Sequence, residues 1–270
     1  MKATVLVDNI ENETCGGEWG LSVYIEHNGK NILLDAGASE LFSENAKKME
    51  LKLEDVDYAV LSHAHYDHSL GMKKFFEVNK NAPFYIQENC EENCYKVEDE
   101  EFVYIGLPEG ILGAYPDRIR KVSGKVEIDD GVYLLSHDTP NLDNIGVREK
   151  MYQQFDFLYV PDDFSHEQSL VFDMPDGLVV FNSCSHGGPD VIIDEVSRAF
   201  GGKNIVGYIG GFHLFNKPDD FVREVASMLR EVGIKSIITG HCTGEAAFEI
   251  LKEELGDIVT QLRTGLVFEF

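Results

Sequence analysis

The stretch Asp57-Tyr-Ala-Val-Leu61-Ser-His63-Ala-His65-Tyr-Asp67-His68 runs an apolar strand directly into four nitrogen and oxygen ligand groups within six residues. Imidazole and carboxylate are the usual ligands of zinc and related divalent ions. A strand end is rigid, and the turn that follows lets alternate side chains converge on one point. Ala64 leaves room between the ligands, and Gly71 downstream permits a close backbone approach. The chain has nine histidines and three of them stand here, with an aspartate between. A His-rich solvated loop is the plain alternative, and this spacing after an apolar strand argues against it.

Outward from that stretch, the opening is β-rich. Strands are expected over Ala3–Val7, Leu21–Ile25 and Asn31–Leu34, with His27-Asn28-Gly29-Lys30 as a hairpin turn. Ser39–Met49 is predicted helical with Ser39 as its N-cap, and a second helix follows from about Ser69 to Phe76. The last third alternates strand and helix. Strands at Leu170–Phe172, Leu178–Phe181, Ile205–Ile209 and Ile234–Ile238 are interleaved with helices at Pro189–Phe200, Pro218–Val232 and Glu245–Leu255, and Leu266–Phe270 closes as a strand. This pattern predicts an α/β fold of two sheets with helices packed outside. Between them, residues 85–165 combine an acidic stretch with Gly- and Pro-punctuated segments, and are expected to form an insertion or lid. Cys90 and Cys94 stand four apart in a stretch that reads as helical, a spacing that matches no common zinc or redox motif.

The pattern His-x-His-x-Asp-His after an apolar strand resembles the signature of the metallo-β-lactamase superfamily. Asn31-Ile-Leu-Leu-Asp35-Ala-Gly37 resembles that superfamily's earlier strand-Asp-Gly motif, which supports the metal loop from behind. Ser183-Cys184-Ser185-His186-Gly187-Gly188, Gly210-Gly211-Phe212-His213-Leu214 and Thr239-Gly240-His241-Cys242-Thr243-Gly244 resemble the subgroup related to the methanopterin-pathway dihydropterin ribofuranosylaminobenzene phosphate synthase. The resemblance runs over nearly the whole chain. It implies one domain with the four-layer αβ/βα sandwich and two divalent ions at one edge of the sheets, zinc before manganese or iron. It further implies that His63 and His65 hold the first ion with a third histidine, His186 in preference to His166. Asp67, His68 and His241 hold the second. The superfamily usually has an aspartate, sometimes a cysteine, at the strand end where this chain has Asn182-Ser-Cys184, which leaves Cys184 either a thiolate ligand or a packed side chain. His213 is a candidate to reach the substrate or to brace a ligand, and a buried structural histidine is the rival reading.

Composition bounds the rest. With 43% apolar and 26% charged residues, 270 residues bury a sizeable core. There are 48 acidic and 23 basic side chains, a formal charge of −25, which disfavours a nucleic-acid partner because such binding is driven by Lys and Arg. No apolar run is long enough for a membrane helix, and the opening MKATVLVDNIENETCGG lacks the apolar core of a signal peptide. The expectation is a cytoplasmic protein with no membrane partner, its five cysteines reduced, its oligomeric state open. No Gly-x-Ser-x-Gly elbow, phosphate-binding Gly-rich loop or dinucleotide fingerprint is present. The chemistry expected is a metallo-hydrolase in which Asp67 orients a metal-activated water against a small phosphorylated or cyclic metabolite. Arg148 and Lys150 are candidates to hold one phosphate, and Tyr115, Tyr152, Phe155, Phe157, Tyr159 and Phe164 to line a pocket or to pack the insertion's own core. A synthase joining a pterin to an aminobenzene ribose phosphate, and a non-catalytic metal-dependent binding protein, are the alternatives.

Overall fold

The computed structural model describes residues 1–270, and the chain divides into two compact units. The first comprises residues 1–123, 140–167 and 263–269; the second comprises 124–139, 168–262 and 270.

In the first unit a seven-stranded sheet runs in the order Val267–Glu269, Lys2–Val7, Ser22–His27, Lys30–Leu34, Tyr58–Val60, Phe84–Gln87, Ile119–Val122. Its first four strands pair antiparallel, and from Lys30–Leu34 onward the pairing is parallel. The hairpin turn at Asn28 and Gly29 has φ of 48° and 76°, the left-handed pair that matches strand twist and that Asn-Gly adopts cheaply. Crossover segments carry the helices Leu41–Lys48 and Met72–Val78. Phe42, Phe75, Phe76 and Phe84 are fully buried or nearly so between helices and sheet, each stabilising the fold by about 1.5–3 kcal/mol. A second, four-stranded antiparallel sheet in this unit is built from Leu158–Pro161, Met151–Phe155, Cys94–Glu98 and Glu101–Tyr104.

In the second unit a seven-stranded sheet runs Val259–Gln261, Ser236–Thr239, Ile205–Ile209, Gly177–Phe181, Gln168–Met174, Val132–Ser136, Lys125–Asp129. The strands from Gly177–Phe181 to Val259–Gln261 are parallel, with the helices Pro189–Ala199, Asp219–Val232 and Glu245–Leu255 between them. Gly177–Phe181 and Ile205–Ile209 are buried at every position, as continuous apolar runs in a parallel sheet should be.

Three expectations need correction. Residues 85–165 are not one insertion: Ile119–Val122 extends the first unit's large sheet, residues 125–136 supply two strands of the second unit's sheet, and only the four-stranded sheet stands apart. These strands are four or five residues long, too short for their alternation to stand out between the glycines and prolines. The helix expected from Ser39 starts at Leu41 with Glu40 at the cap; Ser39 Oγ still accepts the Leu41 N–H at 3.1 Å, doing a cap's work from one residue earlier. Cys90 and Cys94 do not share a helix, since Cys94 begins a strand.

Candidate metal centre

The motif lies where the parallel strands of the first unit end. Tyr58–Val60 leads into Ser62 and His63, and a separate short helix, Tyr66–Ser69, carries Asp67 and His68; the helix expected from about Ser69 begins at Met72. Neighbouring strand ends pin its backbone. Leu21 N–H donates to Asp67 O at 3.1 Å and Ala36 N–H to His68 O at 2.8 Å. Gly71 is required here, because a Cβ on it would lie 2.0 Å from the Ala36 carbonyl oxygen.

Asp35 organises the group from the end of the adjacent strand, in a left-handed conformation with φ 58°. Its Oδ1 accepts the Ser62 N–H at 2.7 Å, while Oδ2 accepts the Ser62 hydroxyl at 2.8 Å and His68 Nδ1–H at 2.7 Å. Ser62 Oγ, having given its proton to Asp35, takes the His63 Nδ1–H at 2.8 Å. A neutral imidazole has one N–H and one lone pair, so both His63 and His68 carry their lone pair on Nε2. The His63 ring centroid lies 4.7 Å from that of His65 and 4.2 Å from that of His68, and Asp67 Oδ2 is 3.8 Å from His68 Nε2. All four side chains are buried. Burial pushes His65 down to about 3, which keeps its ring neutral at working pH.

His166 belongs to the same unit and is fully buried. Its Nδ1 accepts the Ala64 N–H at 3.2 Å and its Nε2–H goes to Asp162 Oδ2 at 3.1 Å. Burial works against the charge of Asp162, yet His166 and the Phe164 amide hold its carboxyl down to about 2. The sequence reading did not single out Asp162. Its only signal is a place four residues before a histidine.

In the second unit the candidates again follow parallel strands at their C-terminal ends, where ligands bind in such sheets. Cys184 and His186 follow Gly177–Phe181, His213 follows Ile205–Ile209, and His241 follows Ser236–Thr239. All four are buried, and the His186 and His213 rings lie 4.5 Å apart. Ser185, His213 and His241 take left-handed φ values of 51°, 48° and 49°, costing about 1–3 kcal/mol each. The ligand atoms of Cys184, His241 and Cys242 lie within 4.8 Å of one another. Burial raises the Cys242 thiol, but hydrogen bonds with Cys184 and His213 and the nearby His241 hold it well below the ordinary thiol range. Cys242 comes close to Cys184 because both follow parallel strands that flank Ile205–Ile209, far apart in sequence.

The other candidates are dispersed. Arg148 pairs with Glu149 at 2.9 Å at an exposed position. Tyr115 stacks on Phe76, Tyr159 on Phe102, and Phe164 is fully buried, while Phe157 is 96% exposed. Tyr152 also packs on Phe102, edge to face with ring centroids 5.3 Å apart. His137, which carried no motif, pairs with the buried Glu195 at 2.8 Å. All five cysteines are free and buried, and no helix is long and apolar enough to cross a membrane.

Residues 17–149 match the family model of the metallo-beta-lactamase superfamily. The chain is 26% identical over 276 aligned residues to the 7,8-dihydropterin-6-methyl-4-(beta-D-ribofuranosyl)-aminobenzene-5'-phosphate synthase of Methanocaldococcus jannaschii, covering 96% of this chain and 92% of that one. It is 28% identical over 253 residues to an uncharacterized protein of the same archaeon, covering 92% and 93%. The crystal structure of a metal-dependent hydrolase of the beta-lactamase superfamily superposes with a TM-score of 0.84 at 26% identity, covering 100% of this chain and 99% of that one. By the match over residues 17–149 and by a fold shared along its whole length with a metal-dependent hydrolase of that superfamily, the chain is similar to the metallo-β-lactamase superfamily.

Proposed function

We propose that this protein is a metal-dependent hydrolase acting on a small phosphorylated or cyclic metabolite. The observation that carries the reading is the array around Asp35, which sets the His63 and His68 lone pairs on Nε2 beside Asp67 in a buried, rigid strand-end turn. Neutral, oriented imidazoles with a carboxylate are a donor set that fits zinc, with manganese or iron as alternatives. The ligand set proposed is His63, His65 and His186 for one ion and Asp67, His68 and His241 for a second. His186 is favoured over His166 because both ring nitrogens of His166 are already engaged, by Ala64 and Asp162.

Divalent ions bound there acidify water and neutralise charge that develops on the attacked group. Asp67 accepts a hydrogen bond from the attacking water and aims it. His213, left-handed and beside His186, is proposed to meet the substrate and to hand a proton to the leaving oxygen. A small molecule is favoured over a nucleic acid because the chain's charge of −25 repels a polyphosphate.

A second reading has its own support. Identity to the archaeal synthase spans 96% of this chain, which favours a condensation joining a pterin pyrophosphate to an aminobenzene ribose phosphate, with loss of pyrophosphate. Protein reconstituted separately with zinc, manganese and iron should be assayed on phosphodiesters, lactones and phosphate esters, and in parallel for that condensation. Hydrolytic turnover abolished by His63→Ala supports the hydrolase. Condensation without hydrolysis, or turnover indifferent to His63→Ala, overturns it.

A further inference from the structure

The first unit holds a buried group outside the ligand set proposed above. The ligand-type atoms of His65, Cys94, Asp162 and His166 all lie within 4.8 Å of one another. Two roles compete for it: a metal site of its own, or a brace for His65.

The hydrogen bonds decide between them. Asp162 is fully buried in the segment after the strand Leu158–Pro161. Its backbone is anchored by its N–H to the Met151 carbonyl at 3.0 Å and packed so closely under Gly146 that a Cβ there would lie 2.2 Å from the Asp162 carbonyl oxygen. Oδ1 accepts from Gln153 Nε2 at 2.7 Å and from the Phe164 N–H at 2.8 Å. Oδ2 accepts from His166 Nε2 at 3.1 Å and lies 4.0 Å from His65 Nε2. The Ala64 N–H occupies the Nδ1 lone pair of His166, so Nε2 of that ring must carry its hydrogen. A metal at this group would need that same nitrogen bare, which would make the ring an imidazolate. The group is therefore a brace.

We infer that Asp162 is a positioning residue for His65: it takes the His65 Nε2–H, which leaves the lone pair on Nδ1 and directs that nitrogen to the metal. Through His166 it also grips the Ala64 amide, so one carboxylate fixes both the ring and the backbone beside it. The inference rests on His65 being a ligand, as proposed above. It requires the 4.0 Å separation to close to a hydrogen bond of about 2.9 Å when the ion is bound. Carboxylates behind metal-bound histidines fix tautomer and ring orientation in this way, and losing one typically weakens metal binding 10–100-fold.

Asparagine at 162 makes a sharp test. The Oδ1 side faces the Phe164 backbone N–H, a donor that cannot turn, so an amide oxygen must go there. The NH2 then faces the two histidines and favours a hydrogen-free Nε2 on His65, the wrong tautomer for the metal. In zinc-loaded protein, long-range proton–nitrogen NMR of wild type should show His65 with Nε2–H and Nδ1 on zinc. Chelator competition should show Asp162→Asn binding zinc 10–100-fold more weakly. Wild-type His65 bound through Nε2, or a folded Asp162→Asn with wild-type zinc affinity, overturns the inference. If Asp162→Asn does not fold, the wild-type tautomer decides. His65→Ala separates the two levels: undiminished zinc affinity removes the ligand assignment and this inference with it, whereas a loss in His65→Ala with none in Asp162→Asn removes only the role of Asp162.

Discussion

At the scale of single residues, the site depends on which atom of each ring faces the metal, and that is set by neighbours. Asp35 does this for His63 and His68 through Ser62. Asp67 has a different part in the proposed reaction, in which its carboxylate would orient the attacking water. Asp67→Asn keeps the size and loses the charge. It should leave the circular dichroism spectrum intact and retain most of the first ion, because His63 and His65 remain. Turnover should fall on the order of a hundredfold or more, the scale of general-base and orientation effects; near wild-type turnover would rule out the proposed route. His186 and His166 make a second comparison. His186→Ala should lose the tighter ion by elemental analysis, while His166→Ala should retain it, weakened by no more than the loss of a brace entails. The motif and Asp35 were readable because their ligand groups are contiguous or stand in a recognisable strand end. Asp162 was not, since its partners Gln153, Phe164, His166 and His65 come together only after two sheets have formed.

At the scale of elements, strands and helices with strong apolar patterning were read almost to the residue. Ile205–Ile209 and Glu245–Leu255 fall where expected, because a buried parallel strand and an amphipathic helix with a glycine before it leave plain marks. The stretch from 85 to 165 reads poorly because its strands are only four or five residues long and carry little periodicity. One joint between elements makes a pH prediction. Glu195, on the helix Pro189–Ala199, accepts His137 Nδ1 at 2.8 Å, the amides of Asp138 and Thr139 at 3.0 Å each, and the Thr139 hydroxyl at 2.7 Å. Burial raises its pKa, but His137, Thr139 and the Asp138 amide outweigh burial and hold it below the ordinary value of 4.5. A carboxylate depressed on folding adds stability that is complete above the unfolded value and lost as pH falls through the folded one. Urea unfolding should therefore show wild type losing stability as pH drops below about 4.5, with Glu195→Gln flattening that loss. An unchanged slope in the variant would remove Glu195 from the account.

At the scale of the whole molecule, metal binding and folding are linked, because an ion that binds only the folded chain stabilises it by mass action. At a hundredfold excess over its dissociation constant, one ion adds about 2.7 kcal/mol. For a chain of this size, chelation should lower Tm by roughly 5–10 °C, reversibly on adding zinc back; an unchanged Tm would mean the ligands do not act together. Another consequence concerns the left-handed backbone at Asp35, Phe164, Ser185, His213 and His241. Glycine would adopt these conformations without strain. His213→Gly should give back about 1–2 kcal/mol of backbone energy against the packing it loses, melt within roughly 5 °C of wild type, and yet be inactive. Selection for heat tolerance alone would meet little resistance at His213, unlike at Asp35 with its buried hydrogen bonds or at Phe164 in the core. A thermostable variant that keeps its fold and loses its chemistry is thus an easy product of directed evolution here, and activity has to be screened alongside stability from the first round.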